Sequence, residues 1–163
     1  MHLSRLRPIF LLLFIRAIMV NCYVLCGLPG SGKSTLSKQL AEQHGAAVHS
    51  IDDIPGSWGN RDIDGKFRRQ WMDNIKADLR NGSSVVCDST ALTSISRKWI
   101  LNELSEFDCK KILVVKVVPV EECVKRNKGR FREVPEEQIQ LTARLLEPPT
   151  PDEGWDEILI SRD

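Results

Sequence analysis

Nine consecutive residues, GLPGSGKST from Gly27 to Thr35, carry the most specific chemistry in the chain. Gly27, Gly32, Lys33 and Ser34 fit G-x-x-x-x-G-K-[ST], the spacing of a loop that wraps a polyphosphate, with a strand-like CYVLC before it and a helix-forming segment after it. Leu28, Pro29, Gly30 and Ser31 fill the variable positions. Glycines are needed because the loop closes so tightly on an anion that side chains would collide with it. Backbone N–H groups then point inward, and the partial positive charge of the following helix N-terminus adds to the attraction. The spacing predicts that Lys33 reaches the β and γ phosphates of ATP, that the Ser34 hydroxyl ligates Mg²⁺, and that Thr35 gives secondary support. Such a loop leaves open whether the phosphate goes to water, drives a movement or is passed to a hydroxyl.

Three further stations bear on that choice. In HSIDDIPG, Asp52 and Asp53 fall just past the end of a strand, at the edge where open parallel sheets bind ligands. Asp52 is the candidate base for an attacking hydroxyl and Asp53 a candidate acceptor contact, the alternative for either being a residue that caps or solvates the loop. The run SSVVC ends at Asp88, Ser89 and Thr90, so Asp88 is a candidate for metal or acceptor, and the two hydroxyls for hydrogen bonding or helix capping. Val124 to Pro135 carries Lys125, Arg126, Lys128, Arg130 and Arg132 between two helical segments. A basic loop there is either a solvated face or a lid, around 125–134, that excludes water and offsets phosphoryl charge, with Arg126 and Arg130 as the contributors.

The elements that must position these residues alternate between apolar runs of strand length and segments of helical period, the pattern of a parallel sheet covered by helices. Strands are predicted at Cys22 to Cys26, Ala47 to Ser50, Ser84 to Cys87, Ile112 to Val118 and Glu157 to Ile160. Helices are predicted at Lys33 to His44, Gly65 to Arg80, Ser94 to Leu104, Val120 to Asn127 and Glu136 to Leu146. In the second helix Phe67, Trp71, Ile75 and Leu79 recur every four residues and form a core stripe. In the third, Ile95 and Trp99 share a face and Ser94 is a plausible cap. Pro148, Pro149 and Pro151 end the last helix.

At 163 residues, 42% hydrophobic and 28% charged, the chain has the size and balance of one globular domain, spanning 19–163. A net charge of +1 excludes a global positive field, so a nucleic-acid partner would need a local basic cluster. The five cysteines lack the paired spacings of a zinc site and read as buried thiols of a reducing, cytoplasmic setting. Residues 1–18 resemble a leader only loosely, and the apolar run Ile9 to Ile15 is too short to span a bilayer. Met19 is the expected natural start, with a surface-docked appendage and a working signal as competing readings.

Taken in order, GLPGSGKST, the DD pair of SIDD, CDSTAL followed by SRKW, VKRNKGR and the closing EGWDEI resemble the P-loop kinases related to the phosphotransferase domain of bacteriophage-type polynucleotide 5′-hydroxyl kinases. The resemblance covers roughly Met19 to Ile160. It implies a three-layer α/β sandwich with a five-stranded parallel sheet in the order 2-3-1-4-5, and ATP and Mg²⁺ as cofactors. Lys33 and Ser34 match the nucleotide and Mg²⁺ residues, Asp52 the general base, Arg130 a lid arginine at the family's spacing from Arg126, and Asp88 an acid lining the acceptor site. One departure stands out: these kinases carry a strand-gripping arginine three residues after the base, where this chain has Pro55. Arg61, or Trp58 stacked on a base, are the candidate substitutes, and Trp58 is equally readable as loop packing. A kinase acting on a polynucleotide 5′-hydroxyl or a hydroxymethylated base is thus expected. A small-molecule kinase for a sugar, nucleoside or antibiotic, and a nucleotide-dependent switch or ATPase module, are the alternatives.

Overall fold

Side-chain alternation along the first strand already dictates two covered faces. Cys22, Val24 and Cys26 point to one side and Tyr23 and Leu25 to the other, and all five are buried. The structure, a computed structural model, describes residues 19–162. The extension or leader expected at 1–18 lies outside the described residues.

Strands β1 (Asn21–Cys26), β2 (Ala47–Ser50), β3 (Val85–Asp88), β4 (Lys110–Val117) and β5 (Glu157–Arg162) form one all-parallel sheet in the order β2-β3-β1-β4-β5. The expected order is the observed one. The helices are α1 (Lys33–His44), α2 (Lys66–Arg80), α3 (Ser94–Glu103), α4 (Val120–Asn127) and α5 (Glu136–Leu145). Helix α1 covers the face bearing Tyr23, Leu25, Val86, Ile112 and Val114 through Leu36, Leu40 and Ala41. Helices α2 and α3 cover the opposite face, where Trp71, Ile75 and Leu79 of the predicted stripe are buried with Met72 in one cluster with Val24, Cys87 and Leu113, and Phe67 packs partly buried against it. A third cluster, Leu28, Val118, Cys123, Val124 and Ile139, packs α4 and α5 against the carboxyl edge of the sheet. All five cysteines are free and buried. Among the described residues no helix is long and apolar enough to cross a membrane.

Helix α3 corrects one expectation. Its N-cap is Thr93, not Ser94: Thr93 Oγ1 accepts from the Ser96 N–H and Ser96 Oγ accepts from the Thr93 N–H, each at 3.2 Å. Ser94 is the first helical residue, and its N–H donates to Glu147 Oε2 at 2.7 Å. Of the pair Ile95 and Trp99, Trp99 packs against the core while Ile95 is 79% exposed, and between them Arg97 is fully buried. A charge turns inward here because Glu153 compensates it. Arg97 Nε donates to Glu153 Oε2 at 2.8 Å and Nη2 to Oε1 at 2.7 Å, while Nη1 donates to the Ala91 and Leu92 carbonyls at 3.0 Å. Trp155 Nε1 adds a bond to Glu153 at 3.1 Å. The network thereby fastens the 150–155 segment to the loop after β3.

Removing the carboxylate while keeping the guanidinium strands a buried charge, so Glu153→Ala is expected to cost about 3–5 kcal/mol. Urea denaturation of the variant would measure this, and an unchanged midpoint would contradict it. The Arg97 hydrogen bond holds Glu153 below its ordinary value of 4.5. A depressed folded-state value stabilises the fold fully above about that pH, and the contribution is lost as the pH falls through the folded-state value.

Candidate active site

The phosphate loop follows directly from β1 and is buttressed from three sides. The Gly27 N–H donates to the Thr90 carbonyl at 3.0 Å, joining it to the loop after β3, and the Ser31 N–H closes a turn onto Leu28 at 3.2 Å. Ser89 Oγ donates to the Leu25 carbonyl at 3.1 Å. These contacts give Ser89 and Thr90 a structural use in place of helix capping. Gly32 takes φ 93° at the start of α1, a left-handed conformation open to glycine, and offers no side chain to cap the first-turn amides.

Gly30, at φ 79°, approaches α4 so closely that a Cβ would overlap the Cys123 carbonyl oxygen. Gly30→Ala combines about 1–3 kcal/mol of backbone strain with about 1–3 kcal/mol of overpacking. A thermal unfolding scan should show a fall of several degrees, and weakened nucleotide binding should accompany it.

Lys33 and Asp88 set the electrostatics. Lys33 is 8% exposed, and its Nζ donates to the Leu28 carbonyl at 2.7 Å. Burial pushes its ammonium below the ordinary lysine value, and the neighbouring Asp88 carboxylate opposes that shift. Burial raises Asp88 above the usual carboxylate range; hydrogen bonding by the Ser34 hydroxyl and the charge of Lys33 work against it, while Asp52 and Asp53 add to it. Four acceptor-side and loop residues are thus close enough to feel one another's charge.

Both implied ligands suit these groups. Ser31 Oγ is buried without a hydrogen-bond partner among the described residues, a costly state that a phosphate oxygen in the loop would relieve. Ser34 and Asp88, in mutual contact, supply oxygen donors of the kind Mg²⁺ prefers, with phosphate and water completing its shell.

A cleft of about 1060 Å³ collects the site at the carboxyl edge of the sheet, and Lys33, Ser34, Asp52, Asp88, Arg126 and Arg130 all line it. Asp52 lies in a single 3₁₀ turn, Ile51–Asp53, started by Ser50, whose side chain accepts from the Asp52 N–H at 3.3 Å. Asp53, Trp58 and Thr35 also reach the cleft. Arg126 Nε donates to Glu122 Oε1 at 2.8 Å one turn earlier in α4. Gly27 and Leu28 do not face the cleft; Leu28 is buried, serving the loop through its carbonyl and its packing. Arg61, the suggested substitute at the acceptor end, is exposed and is not part of the cleft wall.

Two cations of the lining had no individual role assigned from sequence and stand close to the loop and the turn. Lys116, from β4, extends beside the loop with its Cε 3.8 Å from where a Gly32 Cβ would sit, and its Nζ donates to Ser161 Oγ at 3.3 Å. A single lysine inside ILVVKVV was the available signal. Arg132 is the second, drawn from the same basic run as Arg130.

A five-stranded parallel sheet in this order, with a phosphate loop between β1 and α1, defines the P-loop kinase class of α/β proteins. The chain belongs to the AAA_33 family, described as an AAA domain, whose profile matches residues 23–149. It is 28% identical over 145 residues to the L-seryl-tRNA(Sec) kinase of Methanococcus maripaludis, covering 82% of this chain and 55% of that protein. The chain therefore spans about half the length of that relative. In fold it is similar to a sugar kinase from Janibacter sp. HTCC2649 (TM-score 0.66, 20% identity, 88% of this chain and 85% of that one). It is also similar to Chaetomium thermophilum Kti12 in complex with ADP-AlF3 (TM-score 0.61, 18% identity, 86% and 88%).

Proposed function

We propose that the protein is an ATP-dependent phosphotransferase that moves the γ-phosphate to a hydroxyl, preferentially one carried by a nucleic acid. The observation that carries this reading is the shared cleft: Asp52, from the end of β2, lines the same wall as Lys33 and Ser34 of the phosphate loop. An ATPase needs only a water there, whereas a carboxylate opposite the terminal phosphate is suited to orient an alcohol and take its proton. The acceptor oxygen bonds to the γ phosphorus as the bond to the bridging oxygen of ADP breaks. Asp52 receives the hydroxyl proton, and Lys33 and Arg130 balance charge on the phosphoryl group. Mg²⁺, held through Ser34 and Asp88, would add positive charge at the phosphate oxygens. The loop between α4 and α5, which bears Arg130, acts as the lid.

Support for a nucleic-acid acceptor comes from the half-exposed Trp58 on the cleft wall, a stacking surface for a base, and from the tRNA-linked acceptor in the relative's name. A small-molecule acceptor is the second reading, favoured by Pro55 and by the sugar kinase of similar fold. Radiolabelled ATP offered with oligonucleotides, hydroxymethylated duplexes, nucleosides and sugars separates them. Label on an oligonucleotide or a modified base supports the first reading, and label on a sugar alone selects the second. Label released only to water rejects both.

A further inference from the structure

The basic loop and the acceptor turn meet at one side chain. The loop between α4 and α5 is closed at its base by the buried Asn127, whose Nδ2 donates to the Val134 carbonyl at 2.6 Å and whose Oδ1 accepts from the Val134 N–H at 3.0 Å. From this loop Arg132 crosses to the 3₁₀ turn. Its Nη1 donates to the Asp52 carbonyl at 3.0 Å and lies 3.8 Å from Asp53 Oδ1, and its guanidinium sits 5.5 Å over the Trp58 ring. These partners are solvent-exposed, with Trp58 at 42% and the Asp53 side chain at 73%, so a ligand can take their place at little cost.

Asp52, Asp53 and Asp88 line the same cleft as the cations Lys33, Lys38, Lys116, Arg126 and Arg130, and of the cations it is Arg132 that bonds to the turn carrying Asp52 and Asp53. A hydroxyl on a neutral polyol needs no cation in such a place. A hydroxyl carried beside a phosphate is repelled by these carboxylates unless a cation meets it, and a planar guanidinium fork matches phosphate oxygens in pairs. We infer that Arg132 is a specificity-determining residue that grips an anionic phosphate beside the hydroxyl facing Asp52, with Trp58 under the planar base, so that the site selects a nucleotide unit over a neutral polyol. The inference rests on the phosphotransferase reading above. A free nucleotide and the end of a polynucleotide share this chemistry.

The test uses the full chain, ATP and three acceptors with the same 5′-hydroxyl: a nucleoside, its 3′-phosphate and a short oligonucleotide. The wild type should show a lower KM for the two phosphate-bearing acceptors than for the nucleoside, and a further drop for the oligonucleotide would mark a strand end as the source. Arg132→Ala should raise KM for the phosphate-bearing acceptors about 10–100-fold, at least about tenfold more than for the nucleoside. Arg132→Lys should restore part of the loss, because a point charge replaces the fork. Equal losses on all three acceptors, or a fall in kcat with KM unmoved, would overturn the inference and leave Arg132 as a support for the turn. Equal wild-type KM values for all three would overturn it while leaving the kinase reading intact. Transfer to a sugar and to none of the three would overturn both it and the nucleic-acid reading.

Discussion

Replacing Lys33 by alanine is expected to cut phosphoryl transfer at least about a thousandfold, because a preorganised, largely buried charge aimed at the transferring group is removed. The ammonium is buried yet bonded to a loop carbonyl, Leu28, which a phosphate oxygen with full negative charge would outcompete. Nucleotide affinity should fall as well, since the same group meets the ground-state phosphates. The fold should survive, because alanine deletes an ammonium whose burial is itself unfavourable. Single-turnover transfer of labelled phosphate, read beside calorimetric binding of a non-hydrolysable ATP analogue and a thermal melt, measures all three. Near-normal turnover in a folded Lys33→Ala protein would contradict the assignment of this loop.

The second large effect belongs to Asp52→Asn. The amide keeps the shape of the side chain and leaves untouched both the backbone N–H held by Ser50 and the carbonyl held by Arg132. Only the ability to take a proton disappears. Transfer should fall about 10²–10⁴-fold while ATP-analogue binding stays within about twofold, since the loop amides and Lys33 hold the nucleotide. A kcat near that of the wild type would remove Asp52 from the role of base, and loss of nucleotide binding would show that the turn supports the loop.

The phosphate loop was legible because its requirements are local. Glycine spacing, a strand before and a helix after are all properties of adjacent residues, and Gly30 and Gly32 adopt the left-handed angles that such a loop demands. The strands were legible because burial on both faces leaves uninterrupted apolar runs, and the α2 stripe because apolar residues recur every four positions, whereas the strand order followed only from the resemblance to the P-loop kinases. The burial of Arg97 in α3 was not legible because the residue is neutralised by Glu153, a partner 56 positions away that no periodicity reveals. Arg132 was hidden in another way. Five cations in Lys125 to Arg132 look alike in sequence, and only the fold of the loop decides which one crosses to Asp52. Lys116 lay in plain sight, because a charge inside a buried strand has to emerge at its end.

The contact between Gly30 and Cys123 has a mechanical corollary. The stem of the basic arm and the phosphate loop meet at one seam, made by backbone against backbone and reinforced by Leu28 packed among Cys123, Val124 and Ile139. Any adjustment of the phosphate loop on binding a polyphosphate would press on the root of the arm that carries Arg126, Arg130 and Arg132. Were the proposed lid to close over the cleft, this seam would gear its closure to nucleotide occupancy by steric contact.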